Sequence, residues 1–394
     1  MNSSRILSID IMRGITLFLM LFVNDLYSPG VPKWLVHTQA SDDGMGLADW
    51  VFPGFLFMVG LAIPYAIAAR KKKGHDGFKI WVHILTRTLS LLLIGVLMVN
   101  ISSLNPELTS MPAELWALLV YGCVFLIWNQ YPRHSKNTRI FRLLRILGVV
   151  ALVLLVVLFK AGTTENPEWL HTSWWGILGL IGWGYLSASA TFVCTRGKFV
   201  GVIIVWLLFL ILNILSQLGS LDGLNVLDPY IGVLLDGNIP TIVLSGLVVG
   251  MVVKKYKNNL VRLMGILVPI GVFFLILGAI LHQYFIVSKI LGTPSWAMYC
   301  SGISVFVFCM LFLVIDVLKW SAWTKLFLPA GQNSLTTYLA PDIIYYSIWG
   351  LGLNVFFYKQ SESALLAICG SLAWAILMIG FAALLSKVHI KLKL

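Results

Sequence analysis

Charge is what this chain has least of. Only 11% of its 394 residues are Asp, Glu, Lys or Arg, and 59% are hydrophobic. Soluble domains carry about 25% charged and roughly 45–50% apolar residues, so a soluble globular enzyme is excluded. Acids are the scarcer sign, 16 against 28 Lys and Arg, for a formal net charge of +12. In a soluble chain that surplus would point to nucleic acid. In a chain this apolar the question is where the cations sit, because polytopic membrane proteins collect them on cytoplasmic loops. Cysteine is sparse and unpatterned. Cys123, Cys194, Cys300, Cys309 and Cys369 form no C-x-x-C pair and none has metal-ligand spacing beside a histidine. They read as small buried hydrophobes rather than a disulfide framework or a zinc site. No Walker motif, no G-x-G-x-x-G after a strand and no H-E-x-x-H is present, so neither a metal nor a nucleic-acid partner is expected.

Long apolar runs are what the chain does have. A helix needs about 20 mostly apolar residues to cross the hydrocarbon core. Twelve such stretches lie near 10–27, 48–69, 80–101, 113–130, 142–160, 172–193, 199–217, 238–254, 260–284, 295–317, 323–346 and 364–386. The expected fold class is an all-α polytopic bundle of about twelve transmembrane helices, with 1–394 as a single domain. No repeat supports an inverted-repeat transporter. The first stretch follows Arg5 and Arg13 as a secretory signal would, but Ser28-Pro29-Gly30 offers no cleavage site. It is expected to be retained as a helix, with no extracytoplasmic domain ahead of it.

Basic residues set the orientation. With the N-terminus inside, the inner segments 1–13, 70–87, 131–145, 194–198, 254–262, 319–325 and 387–394 hold 24 of the 28 Lys and Arg. Only Lys33, Lys160, Lys289 and Lys359 fall outside. Both termini are therefore expected in the cytoplasm, in a bacterial inner membrane. Thirteen of the 16 acids fall on the outer side or at its membrane edge.

Polar groups at membrane depth are costly and draw attention to function. In S-I-D-I-M-R-G, Asp10 and Arg13 stand three apart on one helix face, a spacing that permits an ion pair. Arg13 either snorkels to the inner interface or faces a cavity that receives an anionic cofactor, for which a guanidinium suits phosphate oxygens. Leaving the first stretch, F-V-N-D brings Asn24 and Asp25, and the long connection that follows carries His37, Asp42, Asp43 and Asp49. Histidine is the natural proton acceptor at neutral pH, and a carboxylate on its second ring nitrogen would orient it. His37 is thus a candidate catalytic base or a merely solvated loop residue, and Asp49 a catalytic partner or a helix N-terminal cap. In L-P-A-G-Q-N-S-L-T-T-Y, Asn333 and Ser334 belong to a polar stripe that is either glue between helices or the lining of a cavity. The connection 218–240 carries Asp222, Asp228 and Asp236, suited to an amine or to solvated turns. His171 and His282 lie outside with no carboxylate close in sequence.

The combination S-I-D-I-M-R-G, F-V-N-D, a loop histidine, L-A-D-W-V-F-P-G-F-L-F-M-V-G, G-T-P-S-W-A-M-Y at 292–299 and the G-x-N-S of 329–338 resembles the transmembrane heparan-α-glucosaminide N-acetyltransferase family. The resemblance implies transfer of an acetyl group from cytoplasmic acetyl-CoA to the amine of a glucosamine on the far side of the membrane. It makes His37 the active-site histidine and carries Asn24 and Asp49 with it as catalytic residues. The stretch between His37 and Asp49 is somewhat longer than in the animal enzyme. The expectations that follow are acetyl-CoA at Arg13, Asn333 and Ser334, an amino-sugar or glycan acceptor near Asp25, Asp43 and Asp236, and membrane lipid around the bundle. Self-association is compatible with these. His37 would act as base or as transient acetyl carrier. The alternatives are a secondary transporter of an amino sugar or anionic metabolite, and an O-acetyltransferase of a surface glycan or lipid.

Overall fold

A computed structural model describes residues 6–27, 30–132, 137–355 and 358–394. Arg5, Arg133 and His134, which the sequence places in the inner basic segments, lie outside the described residues. The chain is built almost entirely from helix. In order these are α1 (Leu7–Asn24), α2 (Leu47–Lys72), α3 (Gly77–Asn100), the single turn α4 (Pro106–Thr109), α5 (Ala113–Trp128), α6 (Thr138–Leu158), α7 (Gly176–Cys194) and α8 (Phe199–Gln217). There follow α9 (Asp228–Asp236), α10 (Asn238–Tyr256), α11 (Leu260–His282), α12 (Pro294–Leu311), α13 (Phe327–Gln332), α14 (Ser334–Gly350) and α15 (Ala364–Lys387). One small antiparallel pair, Ala161–Gly162 with Pro167–Glu168, ties the loop after α6.

Each of the twelve apolar stretches holds a helix. Among the described residues ten helical segments are long and apolar enough to cross a membrane, and Ala113–Trp128 is a shorter apolar one. The eleventh stretch departs from a simple span. It is broken into α13 and α14 at Asn333, which sits at φ −120° and ψ 47°. Gly331 and Asn333 are weak helix formers, and the carbonyl freed beside the break is met by side chains from α1 and α14. A broken helix is tolerated at membrane depth where protein covers it. The connection 218–240 is likewise more ordered than a loop, forming a 3-10 turn over Asp222–Leu227 and then α9.

The most enclosed helix is α2, with 78% of its apolar stretch buried, against 17% for α6 and 22% for α8. These outer helices therefore present their apolar faces to lipid. α2 and α10 run parallel and touch backbone to backbone. A Cβ on Gly60 would stand 1.8 Å from the Val243 carbonyl oxygen, and one on Gly246 would stand 1.9 Å from that of Phe57. Only hydrogen fits at either place, the small-residue device by which membrane helices approach closely. At the other end of the chain's fold, α12 continues as a π-helical turn over Phe312–Val317. That turn brings Asp316 under the start of α1, where its Oδ1 and Oδ2 accept the Leu7 and Ser8 amides at 2.9 and 3.0 Å. Two otherwise orphaned donors of α1 are satisfied from 308 residues away in sequence.

Replacing Gly60 with Ala is expected to force α2 and α10 apart and to destabilise the fold by about 1–3 kcal/mol. The check is the thermal unfolding midpoint of detergent-solubilised protein, which should fall well below that of the parent chain.

Candidate active site

The site stands where α2 begins. Gly46 precedes the helix, and its amide donates to Asp49 Oδ2 at 3.0 Å, so the carboxylate folds back over the helix N-terminus. A negative charge is favoured there by the helix dipole. The same Oδ2 accepts the Thr38 amide and the Thr38 hydroxyl, both at 3.1 Å. Oδ1 faces His37 Nδ1 at 2.8 Å. The Asp49 side chain is wholly buried, while 43% of the His37 side chain is exposed. A carboxylate can only accept, so the hydrogen bond places the proton on Nδ1 and leaves Nε2 as the free acceptor.

Two elements from the far part of the chain complete the setting. The Trp296 indole, in the G-T-P-S-W segment at the start of α12, donates to the Asp49 main-chain carbonyl at 3.1 Å. Lys289, in the connection between α11 and α12, places Nζ 3.2 Å from His37 Nδ1. Burial pushes the Lys289 ammonium below its ordinary value, and the Asp49 charge partly restores it. A carboxylate and an ammonium thus both stand against the same imidazole nitrogen, and Nε2 is left to face outward.

The loop bearing His37 is strapped down by Asp43. Its Oδ1 accepts the Val287 amide at 2.9 Å and lies 2.8 Å from His282 Nε2. The Gly44 amide donates to the Val287 carbonyl at 3.0 Å, and Ser288 Oγ to that of Ala40 at 3.3 Å. The Val287 amide, and after it His282, hold the Asp43 carboxyl below its usual range. His282, without an evident partner in the sequence, finds one here 239 residues away.

The other expected site residues fall into three groups. Asn24 is the last residue of α1 and exposed, and among the described residues no hydrogen bond joins it to His37 or Asp49. Asp25, expected to meet the acceptor, is only 4% exposed. It accepts the Tyr345 hydroxyl, which itself accepts the Trp374 indole N–H at 3.1 Å, so it clamps α1 to α14 and α15. Asp236 is exposed at the end of α9, bonded to Ser216 Oγ at 3.0 Å. Its carbonyl and that of Gly292 are both held by Asn213 Nδ2, at 2.9 and 3.0 Å. This places it on the same face as the 283–293 connection. Arg13, Asn333 and Ser334 do converge, well away from His37. The Gly331 carbonyl accepts both Arg13 at 3.3 Å and Ser334 Oγ at 2.8 Å, and Asn333 Nδ2 donates to Pro329 at 3.2 Å. Asp10 stands 3.8 Å from Arg13, as their spacing anticipates.

Lys289, Thr38, Trp296 and His282 were not singled out as site residues from the sequence. A signal existed for Lys289, one of only four cations on the sparsely basic side.

Residues 5–178 match a family model described as a domain of unknown function, DUF5009. Arg13, Asn24, His37 and Asp49 all fall within that range. The chain is 38% identical over 96 residues to the heparan-alpha-glucosaminide N-acetyltransferase of Homo sapiens. By these matches the chain is similar to heparan-alpha-glucosaminide N-acetyltransferases. The Mus musculus enzyme of that name is 34% identical over 99 residues. The human match covers 24% of this chain and 14% of the enzyme, the mouse match 25% and 14%. The chain therefore spans only a small part of the length of these curated relatives.

Replacing Asp43 with Ala is expected to release the strap without touching the dyad directly. Hydrogen exchange should quicken across 40–46 and 284–290, while the α2–α10 contact keeps its protection. Acid should reproduce the effect. A carboxyl held low in the fold contributes its stabilisation above its unfolded value and loses it as pH falls through the folded one. Exchange in both segments should therefore rise only below the ordinary carboxylate range.

Proposed function

We propose that this chain is a membrane-embedded acetyltransferase that moves an acetyl group from cytoplasmic acetyl-CoA to the amine of a glucosamine-type sugar on the opposite side. The observation that carries this reading is the pairing of a half-exposed His37 with a wholly buried Asp49 at 2.8 Å. Such a pair leaves one imidazole nitrogen facing outward as a base, held in a fixed tautomer. In this reading the whole chain, 1–394, serves as one transferase domain, with both termini in the cytoplasm of a bacterial inner membrane. The one-sided distribution of Lys and Arg supports that orientation.

The donor's phosphates belong with Arg13, beside Asn333 and Ser334 at the break between α13 and α14. Arg13 lies eleven residues before Asn24, about 16 Å along α1, a depth that a pantetheine arm spans. His37 Nε2 takes a proton from the acceptor amine as the nitrogen attacks the thioester carbon. Asn24 donates to the carbonyl oxygen on which negative charge develops. The C–S bond then breaks, and the His37 imidazolium returns its proton to the departing CoA thiolate. Asp49 stabilises the imidazolium between these two steps. Asp43 and Asp236, exposed on the same face, favour an ammonium-bearing acceptor. Lys289 Nζ stands against the imidazole nitrogen that Asp49 holds, and so helps to fix the ring in place.

His37→Ala is expected to abolish transfer from labelled acetyl-CoA to glucosamine while acetyl-CoA binding persists. Asp49→Asn should lower kcat by about 10²–10⁴. Normal turnover in the His37 variant would sink the assignment, and labelling of hydroxyl sugars in place of glucosamine would redirect it to O-acetylation. Lys289→Met should lower kcat while leaving acetyl-CoA affinity unchanged, with Lys289→Arg restoring turnover.

A further inference from the structure

A cavity with an apolar floor and a cationic rim opens at the opposite end of α2 from His37. It has a volume of about 410 Å³ and lies among the ends of α2, α3, α7 and α10. Lys71 from α2, Arg196 from the turn after α7 and Lys254 from α10 reach its wall, together with His75 from the α2–α3 turn. No acidic residue lines it. The nearest in sequence, Asp76, is engaged elsewhere, capping α3 through the Lys79 amide at 2.8 Å and standing 3.7 Å from the Lys79 ammonium. Lys254 gives one ammonium hydrogen to the Pro64 carbonyl at 2.7 Å and keeps two for a ligand. His75 Nδ1 is buried with no hydrogen-bond partner among the described residues. Arg196 is held at φ 54° in a tight turn closed by its own amide on Val193 at 3.0 Å. The rest of the wall is apolar, with Ile80 and Phe192 among it.

Cations on one side and hydrocarbon on the other describe an amphiphile whose head is an anion. We propose that this cavity binds the phosphate head of an anionic membrane lipid, with Lys71, Arg196 and Lys254 on the phosphate oxygens and the acyl chains leaving along Ile80 and Phe192. Basic pockets between helix ends on the cytoplasmic side favour such head groups. Acetyl-CoA offers phosphates too, but the geometry disfavours it here. Lys71 is twenty-two residues along α2 from Asp49, about 33 Å, further than a pantetheine arm extends. The passage between α2 and α10 is also shut, since Gly60 and Gly246 already touch the facing backbone. The site is therefore separate from the transfer site and does not depend on the function proposed above.

The test is native mass spectrometry of the full chain in micelles doped with phosphatidylglycerol or phosphatidylcholine, with acetyl-CoA affinity measured in parallel. The parent chain should retain phosphatidylglycerol and not phosphatidylcholine. Because Lys71 and Arg196 are exposed at the rim, Lys71→Gln with Arg196→Gln should fold normally. Retention should weaken about twenty-five-fold, the product of fivefold for each cation removed, with acetyl-CoA affinity unchanged. Lys198→Gln, an exposed cation outside the cavity, should change neither. Unaltered phosphatidylglycerol retention in the double variant would overturn the proposal. So would a loss of acetyl-CoA affinity, which would assign these cations to the donor.

Discussion

The end of the bundle that carries His37 depends on one buried carboxylate. Asp49 is fully enclosed yet accepts four hydrogen bonds, from His37, the Thr38 amide, the Thr38 hydroxyl and Gly46. A buried charge is costly unless hydrogen bonds replace its water, and here they do so from two segments of chain. The bonds that satisfy Asp49 are therefore the bonds that fix the His37 loop to α2. Burial of the helix supplies the reason that the carboxylate cannot move. α2 is pinned along its length by α10 through Gly60 and Gly246 and at its start by Trp296. A loop residue thereby acquires the positional accuracy of a core residue, which acid–base work requires.

The dyad also illustrates how a membrane protein separates its tasks along one helix. The end of α2 that carries Asp49 is surrounded by connections rich in carboxylates, and its other end, Arg70 to Lys73, is purely basic. Between them the helix is apolar and closely packed, which keeps the two charged ends about 33 Å apart. Arg13 and the α13–α14 break sit beside a different helix, α1, whose start is held by Asp316. The two cationic places thus differ in kind. One lies partway along α1, within reach of the far surface; the other stays at the margin where lipid head groups lie.

Much of this was legible in the sequence because the membrane imposes simple rules. Length and hydropathy locate helices well when every backbone donor must be satisfied internally. All twelve apolar stretches hold helices for that reason. The exception is instructive. The run 323–346 is apolar enough to read as one span, and only the local weakness of Gly331 and Asn333 breaks it. That break persists because Arg13 and Ser334 meet the Gly331 carbonyl, a long-range contact on which hydropathy is silent. The pairing of His37 with a following carboxylate was readable too, since three acids stand in the twelve residues after it. Its selection of Asp49 over Asp42 and Asp43 follows from the helix start, where a carboxylate is already oriented.

What stayed hidden were partners distant in sequence. Asp43 looked like an acceptor-binding group because its neighbours are polar and its loop is exposed. In the fold the same exposed carboxylate also holds His282 and the Val287 amide, partners that its neighbours in sequence do not announce. Asp25 looked similar and is buried under Tyr345. Lys289 was a bare topological exception, a cation on the wrong side. Its position beside His37 explains the exception physically. Burial works against the charge of a lysine there. What offsets that cost is the Asp49 carboxylate, held against the same imidazole nitrogen. The setting of His37 is therefore made by both charged neighbours together rather than by its own loop. That setting is made from two connections, 30–46 and 283–293, which the Asp43 strap holds in register.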